Sequence, residues 1–238
     1  MIEVIRKKNK KKVAEEAAKI VLQEIKKKQN LVLGLATGRT MIPFYNALVK
    51  LKKNEKISFT NVRTFNLDEY VGLGEKDKKS FRHFMEEYFF SKVDLKKENI
   101  NFLDGKTKNF KKECLRYENK IKKSGGIDLQ ILGIGRNRHI AFNEPGSSIK
   151  SRTRKVRLPE ETRKVNFGSL KNAPKFALTV GISTILNSRK ILLLAFGKEK
   201  KKAVQNSLQG KISSKMPASF LRLHKNVIFV VDETVMNN

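Results

Sequence analysis

The chain has 238 residues, and its 52 lysines and arginines against 23 acidic residues give a formal net charge of +29. A single cysteine, Cys114, excludes an internal disulfide framework. No apolar run approaches the ~18 residues of a membrane span, and the charged N-terminus lacks the hydrophobic core of a signal peptide. These features predict a cytoplasmic protein, and the length suits one large α/β domain or two small ones.

The excess of positive charge points to anionic partners in general, such as nucleic acid, a membrane surface or phosphorylated metabolites. The lysines are spread through most of the chain, without a zinc-ligand spacing or an RNA-binding signature beside them. A compositional bias toward lysine accounts for the same count. The charge by itself therefore does not choose among these partners.

Helical and strand patterns alternate from one end of the chain to the other. Helices are predicted over 11–28, after Thr40 and over 80–90 from the apolar residues there, over 108–123 as a basic helix, and after Gly197. Short apolar runs predict strands at 31–35, 61–66, 99–103, 127–134, 177–181, 191–196 and 227–231. No internal repeat or long linker interrupts them. The pattern predicts one domain over residues 1–238, an α/β fold with a single doubly wound, mainly parallel sheet and helices on both faces.

The first of these predicted strands ends in Thr37-Gly38-Arg39-Thr40, directly before a helix. Backbone N–H groups in such a loop, together with a helix N-terminus, can bind an anion such as a phosphate. The loop matches neither a Walker A motif nor a dinucleotide fingerprint. Many strand–helix turns contain glycine for steric reasons only. The loop is therefore a candidate phosphate cradle, with a purely steric role left open.

Two polar segments follow other predicted strands. The stretch 133–145 places His139 close to an amide and a carboxylate, and histidine can give and take a proton near neutral pH. The adjacent acids Asp68 and Glu69 follow the 61–66 strand. Loops at the carboxyl ends of parallel strands converge on one crevice, so these groups are expected to meet there. The alternatives are a polar turn that caps a helix and a pair of solvated surface acids.

Taken together, these segments resemble the glucosamine-6-phosphate deaminase family over nearly the whole chain. The resemblance is carried by LGLATGRT at 33–40, TFNLDEYVGL at 64–73 and HIAFNEP at 139–145, with shorter matches at 151–154, 162–166, 177–181 and 217–221. The first segment is the least specific, because the related 6-phosphogluconolactonases have a similar one. In those lactonases, however, the histidine is not followed by Phe-Asn-Glu-Pro, as it is here at 142–145.

The resemblance implies that the protein converts glucosamine 6-phosphate and water to fructose 6-phosphate and ammonia. This is hydrolysis of a C–N bond coupled to aldose–ketose isomerisation, without a metal or an organic cofactor. The sequence leaves a monomer and a homo-oligomer open, predicts no membrane partner, and disfavours a nucleic-acid partner despite the basic charge. His139, tuned by Asn137 and Glu144, would move the protons of ring opening, and Asp68 would be the base at C2. The implied phosphate-binding residues are Thr37, Gly38, Arg39 and Thr40, with Arg163 and Lys200 adding positive charge.

Several residues depart from the family pattern. Asn137 stands where many members have Asp, and Arg138 stands where the family has Gly beside the histidine. If position 138 needs a positive φ, arginine is costly there. Arg39 replaces a small residue and would either clamp or crowd a phosphate. Two other functions stay open from the sequence: a lactonase-like sugar-phosphate hydrolase of the same fold, and a basic nucleic-acid-binding relative without activity.

Overall fold

The structure is a computed structural model that describes residues 2–236. Its strands in chain order are β1 (Ile2–Lys7), β2 (Val32–Leu35), β3 (Arg63–Asn66), β4 (Asp68–Tyr70), β5 (Ile100–Asn101), β6 (Leu129–Leu132), β7 (Arg154–Arg157), β8 (Phe176–Thr179), β9 (Lys190–Ala195) and β10 (Val227–Asp232). Seven of them form one sheet in the order β1-β10-β9-β6-β2-β3-β5, and every neighbouring pair is parallel.

Helices surround this sheet and bury its faces. They are α1 (Lys10–Lys27), α2 (Met41–Asn54), α3 (Phe81–Tyr88), α4 (Phe110–Lys123), α5 (Glu160–Phe167), α6 (Ile182–Leu186), α7 (Lys201–Gln209) and α8 (Glu233–Met236), with short 3₁₀ turns at Phe90–Lys92, Lys97–Asn99, Lys198–Lys200 and Pro217–Leu223. The first helix begins where the Asn9 side chain accepts the N–H of Lys12, and its apolar stripe is buried. None of the helices within residues 2–236 is long and apolar enough to cross a membrane.

A second, three-stranded sheet in the order β4-β8-β7 is antiparallel. The chain passes from the large sheet into the small one at Leu67. The N–H of Leu67 still donates to Leu35 in the large sheet, while its carbonyl accepts the N–H of Val180 beside the small sheet. Asp68, the first residue of β4, therefore lies at the junction of the two sheets, just beyond the carboxyl ends of the parallel strands.

The predicted α/β fold with its mainly parallel sheet is confirmed, but one sheet is not the whole structure. The run at 177–181 forms β8 of the small antiparallel sheet rather than a strand of the large one. The strands β1, β4 and β7 were not predicted, and Asp68 and Glu69, expected just past a strand end, lie within β4. The sequences of β1 and β7, IEVIRK and RKVR, are rich in charge because both strands lie at sheet edges and are only partly buried. The predicted strand at 99–103 is reduced to Ile100–Asn101.

Candidate active site

The loop of residues 133–145, which follows β6, contacts segments from three other elements at the carboxyl edge of the large sheet. The Nζ of Lys200 donates a 2.6 Å hydrogen bond to the carbonyl of Ile134. The N–H of Phe142 donates to Oδ1 of Asp68 at 3.2 Å. The first residue of α2, Met41, packs so closely that a Cβ added at Gly133 would lie 3.4 Å from its Cε. The structure thus brings the predicted loops to one edge.

His139 is paired with a carboxylate. Its Nδ1 lies 3.4 Å from Oε2 of Glu144, and that same oxygen accepts a 2.6 Å hydrogen bond from the Asn137 amide. Burial alone would raise the pKa of Glu144, but the contacts from His139, Thr162 and Asn137 outweigh it and hold this pKa below its ordinary value. Glu144 is therefore a stable anion that can orient the imidazole and balance its charge when it is protonated.

The imidazole of His139 lies against the backbone of Gly135. A Cβ added at Gly135 would fall 2.3 Å from the ring, so no larger residue fits without moving the histidine. The turn is closed by two 2.9 Å backbone hydrogen bonds, from the N–H of Gly135 to the carbonyl of His139 and from the N–H of Arg138 to the carbonyl of Gly135. The loop therefore sets the position of the histidine ring through its backbone as well as through Glu144.

Two residues of this loop that are not glycine have left-handed backbones. Arg138 has φ of 73° and Ala141 has φ of 52°. Position 138 thus does adopt the conformation that favours glycine, and arginine occupies it. The side chain of Arg138 is half-buried and its Nε donates to the carbonyl of Asn137 at 3.2 Å. Its own carbonyl accepts the N–H of Ala218 at 3.0 Å, which ties the turn to the last 3₁₀ segment.

Asp68 is buried, with only 8 % of its surface exposed. Burial raises the pKa of Asp68 to about 7, although hydrogen bonds from the Thr179 hydroxyl and the Phe142 N–H, and the charges of His139 and Arg154, act in the opposite direction. A carboxylate whose pKa lies near neutrality is a stronger base than an exposed one and still loses its proton at physiological pH. This environment makes Asp68 suitable for abstracting a proton.

The neighbouring acid has a different surrounding. Glu69 is 1 % exposed and its carboxylate accepts the backbone N–H groups of Tyr70, Phe81 and Arg82. Two of these donors are the first residues of α3, so Glu69 caps that helix. Of the two adjacent acids, Asp68 contacts the 133–145 loop, whereas Glu69 has a structural role as a helix cap.

The candidate phosphate cradle, residues 37–40, turns at a glycine just before α2. Gly38 has φ of 102°, and its carbonyl accepts the N–H of Met41 as α2 begins. Thr40 occupies the N-cap position without a side-chain cap hydrogen bond, so its hydroxyl is available to a ligand. Arg39 is exposed and forms no salt bridge within residues 2–236. Together with Thr37, these residues surround the positive end of the helix.

Lys200 contributes a cation to the same edge. Burial lowers the pKa of Lys200; Glu199 opposes this effect and Arg136 adds to it. The charge of Arg136, an exposed arginine that the sequence did not single out, therefore acts on the ammonium group. Arg136 immediately follows Gly135, so the loop that carries His139 adds this cation to the one supplied by Lys200.

Arg163 is placed differently from the other predicted phosphate-binding residues. It is buried on α5, where its Nε and Nη2 donate to the backbone carbonyls of Leu170, Ala173 and Pro174. Within residues 2–236 it has no hydrogen bond to the 37–40 loop. In this structure its guanidinium therefore anchors the segment that follows α5.

Two threonines that the sequence did not assign contact the predicted acids. Thr162 donates from Oγ1 to Oε1 of Glu144 at 2.8 Å, and Thr179 donates to Asp68. Both lie in segments that carry the family resemblance, at 162–166 and 177–181, but threonine side chains alone give no sign of such contacts. Only the placement of β8 beside β4, and of α5 beside the 133–145 loop, reveals them.

Comparison with known proteins identifies the family of the chain. Residues 6–230 match the family described as glucosamine-6-phosphate isomerases/6-phosphogluconolactonase. A glucosamine-6-phosphate deaminase from Thermoanaerobacter sp. (strain X514) is 44 % identical over 228 residues, which cover 94 % of this chain and 90 % of that protein. Glucosamine-6-phosphate deaminase 1 from Giardia intestinalis is 49 % identical over 228 residues, covering 93 % and 86 %.

Solved structures separate close relatives from distant ones. A monomeric glucosamine-6-phosphate deaminase superposes with a TM-score of 0.96 at 44 % identity, over 98 % of each chain. The 6-phosphogluconolactonase from Thermotoga maritima has a TM-score of 0.74 at 21 % identity, over 98 % of this chain and 100 % of its own. Identity at that level shows a shared fold alone.

Proposed function

The chain belongs to the glucosamine-6-phosphate isomerase/6-phosphogluconolactonase family, and on that premise we propose that it is an enzyme that deaminates glucosamine 6-phosphate. The products are fructose 6-phosphate and ammonia, and one water is consumed. The observation that carries the proposal is the meeting of the buried carboxylate of Asp68 with the His139–Glu144 pair at one sheet edge. Relatives that are 44–49 % identical over more than nine-tenths of the chain have this activity in their names.

The first step that the site supports is opening of the sugar ring. A proton must leave the C1 hydroxyl and another must reach the ring oxygen. His139 is placed to move these protons, because Glu144 balances its charge and orients its ring. Asn137 cannot take a proton itself, so its role is to hold its neighbours. Its side-chain N–H donates to Glu144, and its side-chain oxygen accepts the backbone N–H of His139.

The second step is removal of the proton at C2, next to the new aldehyde. Asp68 is the base, since burial brings its pKa close to neutrality and Thr179 and Phe142 hold it in place. The proton taken from C2 is returned to C1, which turns the C2 amine into an imine; water then adds at C2 and ammonia leaves, which gives the ketose. The overall change therefore combines isomerisation with hydrolysis of a C–N bond.

The phosphate binds away from the reacting carbons, so its binding energy orients the rest of the substrate. We assign it to the loop of Thr37, Gly38, Arg39 and Thr40, to the N-terminus of α2, and to the ammonium group of Lys200. Arg136 adds positive charge nearby. A phosphate dianion suits this edge because none of these three basic side chains forms a salt bridge within the described part of the chain.

The test is a coupled assay of fructose 6-phosphate and ammonia with purified protein in EDTA. We expect both products in equal amounts, and we expect Asp68→Asn to lower kcat by about 10²–10⁴-fold, because the base is removed while the phosphate site is retained. The conservative control Glu160→Gln removes one exposed carboxylate and should leave kcat unchanged. Wild-type protein that hydrolyses 6-phosphogluconolactone but releases no fructose 6-phosphate would contradict the proposal.

A further inference from the structure

Thr179 occupies a special place beside the proposed base. It is the last residue of β8, it is fully buried, and it pairs across the antiparallel ladder with Asp68, the first residue of β4. Its Oγ1 lies 2.5 Å from Oδ1 of Asp68 and 3.1 Å from the backbone nitrogen of Phe142. The hydroxyl therefore joins the small sheet, the carboxylate and the 133–145 loop at one point.

The direction of these hydrogen bonds follows from the available protons. The Phe142 N–H can only donate, so the Thr179 oxygen is an acceptor in that contact. The single hydroxyl proton then goes to Oδ1 of Asp68, which is much closer than the other acceptor, the carbonyl of Val180 at 3.4 Å. Because Phe142 also donates to Oδ1, that oxygen receives two hydrogen bonds.

The other carboxylate oxygen is left open. Within residues 2–236, Oδ2 of Asp68 receives no side-chain or backbone hydrogen bond, and it does not belong to the fully buried polar atoms that lack a partner. Oδ2 consequently keeps some exposed surface, while Oδ1 is held by Thr179 and Phe142. Such an arrangement orients one oxygen of a carboxylate for proton transfer and prevents the group from rotating away.

From this geometry we infer that Thr179 is a positioning residue for the base, whose hydroxyl holds Oδ1 of Asp68 so that Oδ2 takes the proton from the substrate. The inference rests on the proposed deaminase function and adds to it a residue that touches the carboxylate rather than the substrate. Ala141 supports the arrangement, because its left-handed backbone, with φ of 52°, precedes Phe142 and helps to aim that N–H.

The hydroxyl also acts on ionisation. Burial raises the pKa of Asp68, and the Thr179 hydrogen bond opposes this because it stabilises the charged form. Loss of the hydroxyl should raise the pKa further and leave less of the base ionised at neutral pH. The other titratable or charged groups that face Asp68 are His139 from the 133–145 loop, Arg154 from β7, Glu69 and Tyr70 from β4, and Tyr117 from α4.

The experiment compares Thr179→Val, which keeps the shape but removes the hydroxyl, with Thr179→Ser, which keeps the hydroxyl. In Thr179→Val we expect the acid limb of the kcat/KM profile to move up by about one pH unit and kcat at pH 7 to fall about ten-fold or more, since a hydrogen bond to a charged group is lost. In Thr179→Ser the limb should stay in place. KM should change little in both variants, because neither touches the phosphate site.

A direct measurement separates Asp68 from His139 as the titrating group. The carboxyl ¹³C shift of Asp68, assigned by its disappearance in Asp68→Asn, should titrate at higher pH in Thr179→Val than in the wild type. Should Thr179→Val fail to fold, Thr179→Ala provides the same comparison. Absence of deaminase activity in the wild type would refute the proposed function itself. An active wild type with the same acid limb and the same ¹³C titration in the folded variant would refute the role of Thr179.

Discussion

Arg138 and Ala141 show what single residues contribute to the site. Each occupies the left-handed region, which costs a residue with a Cβ roughly 1–2 kcal/mol. His139 lies between them, and Phe142, which donates to Asp68, follows Ala141. Strain of this size persists because hydrogen bonds from Gly135, Ala218 and Asn143 to the surrounding backbone hold the turn. The strained backbone thus places two groups that the proposed chemistry needs.

Arg138→Gly should relieve this strain without harming catalysis. Glycine takes a positive φ at no steric cost, although it also loses more freedom on folding, so the net gain in stability is about 1 kcal/mol or less. We expect a melting temperature that is unchanged or higher by about 2–4 °C, a KM within a few-fold of wild type, and no loss of kcat.

The matched control for this change is Arg138→Ala, which removes the guanidinium but keeps the Cβ in the left-handed region. If strain is the cause, Arg138→Ala should not gain the stability that Arg138→Gly gains. A large loss of kcat in both variants would instead make the guanidinium, now half-buried with its Nε on Asn137, a working part of the site.

The proposed catalytic groups meet where the chain passes from the large sheet to the small one. The chain leaves β3 after Asn66, crosses at Leu67 and begins β4 at Asp68, so the base stands between two sheets. Helix α5 is tied to the same place, because Thr162 donates to Glu144 and the Asn166 amide donates to the hydroxyl of Tyr70. A shift of α5 would therefore displace the Glu144 carboxylate, which orients His139.

Arg163 and Lys200 should respond differently to substitution, since the structure places them in different surroundings. Lys200→Ala removes a cation from the proposed phosphate site and should raise KM with a smaller effect on kcat. Arg163→Ala removes three hydrogen bonds to carbonyls of 170–174 and should lower the melting temperature. Hydrogen exchange of the amides in 168–175 should also become faster.

Arg163→Lys is the control that separates an anchor from a phosphate ligand. Lysine keeps the positive charge but cannot span three carbonyls, so as an anchor it should fail as alanine does. The opposite result would be a raised KM in Arg163→Ala, a wild-type KM in Arg163→Lys, and unchanged hydrogen exchange of the 168–175 amides in both. It would show that Arg163 binds the phosphate, as the sequence predicted.

At the scale of the whole molecule, the charge and the buried acids act on stability in different ways. The net charge of +29 is carried largely by exposed lysines, and it favours anionic ligands at long range. Burial of Asp68 lowers the stability of the fold at neutral pH. Its pKa rises from the ordinary value of 3.8 to about 7 because of burial, so the folded protein holds this proton more tightly than the unfolded chain does.

It follows that the contribution of Asp68 to the free energy of unfolding falls as the pH rises. Below about pH 4 both states bind the proton, and between about pH 4 and pH 7 the unfolded chain loses it first, which lowers the free energy of unfolding. Asp68→Asn has no charge to bury, so it should be more stable than wild type at pH 8, by on the order of 4 kcal/mol at most. The advantage should vanish toward pH 4.

Urea unfolding between pH 4 and pH 8 measures this difference, with Glu160→Gln as the control for the loss of one exposed charge. If the free energies of unfolding of wild type and Asp68→Asn change with pH in parallel over the whole range, burial of the Asp68 carboxylate does not lower stability. Comparison of wild type with Asp68→Asn links stability to function, because the substitution that should stabilise the fold at pH 8 is also the one that should lower kcat.

Much of this protein follows from its sequence alone. Apolar runs of strand length that alternate with amphipathic helices are enough to predict the parallel sheet, because buried strands and helix faces need those periods. The same order puts the loops after the strands at one edge, which is how 37–40, Asp68 and 133–145 could be expected to meet. Comparison with the family pattern also marked position 138, where glycine is usual, as a place where a positive φ would be costly for arginine, and the structure shows φ of 73° there.

The tertiary structure alone decided which side chains touch. Thr179 and Asp68 are 111 residues apart and meet only because β8 pairs with β4 in a particular register. Strand β1, with its charged sequence, likewise forms only because β10, at the other end of the chain, pairs with it. The carbonyls that hold Arg163 are nearer in sequence, at 170–174, but the pattern of residues there gives no sign that they bind it. Local periodicity records which face of an element is buried, whereas hydrogen bonds between elements depend on register and on ångström distances. Composition and periodicity do not contain that information.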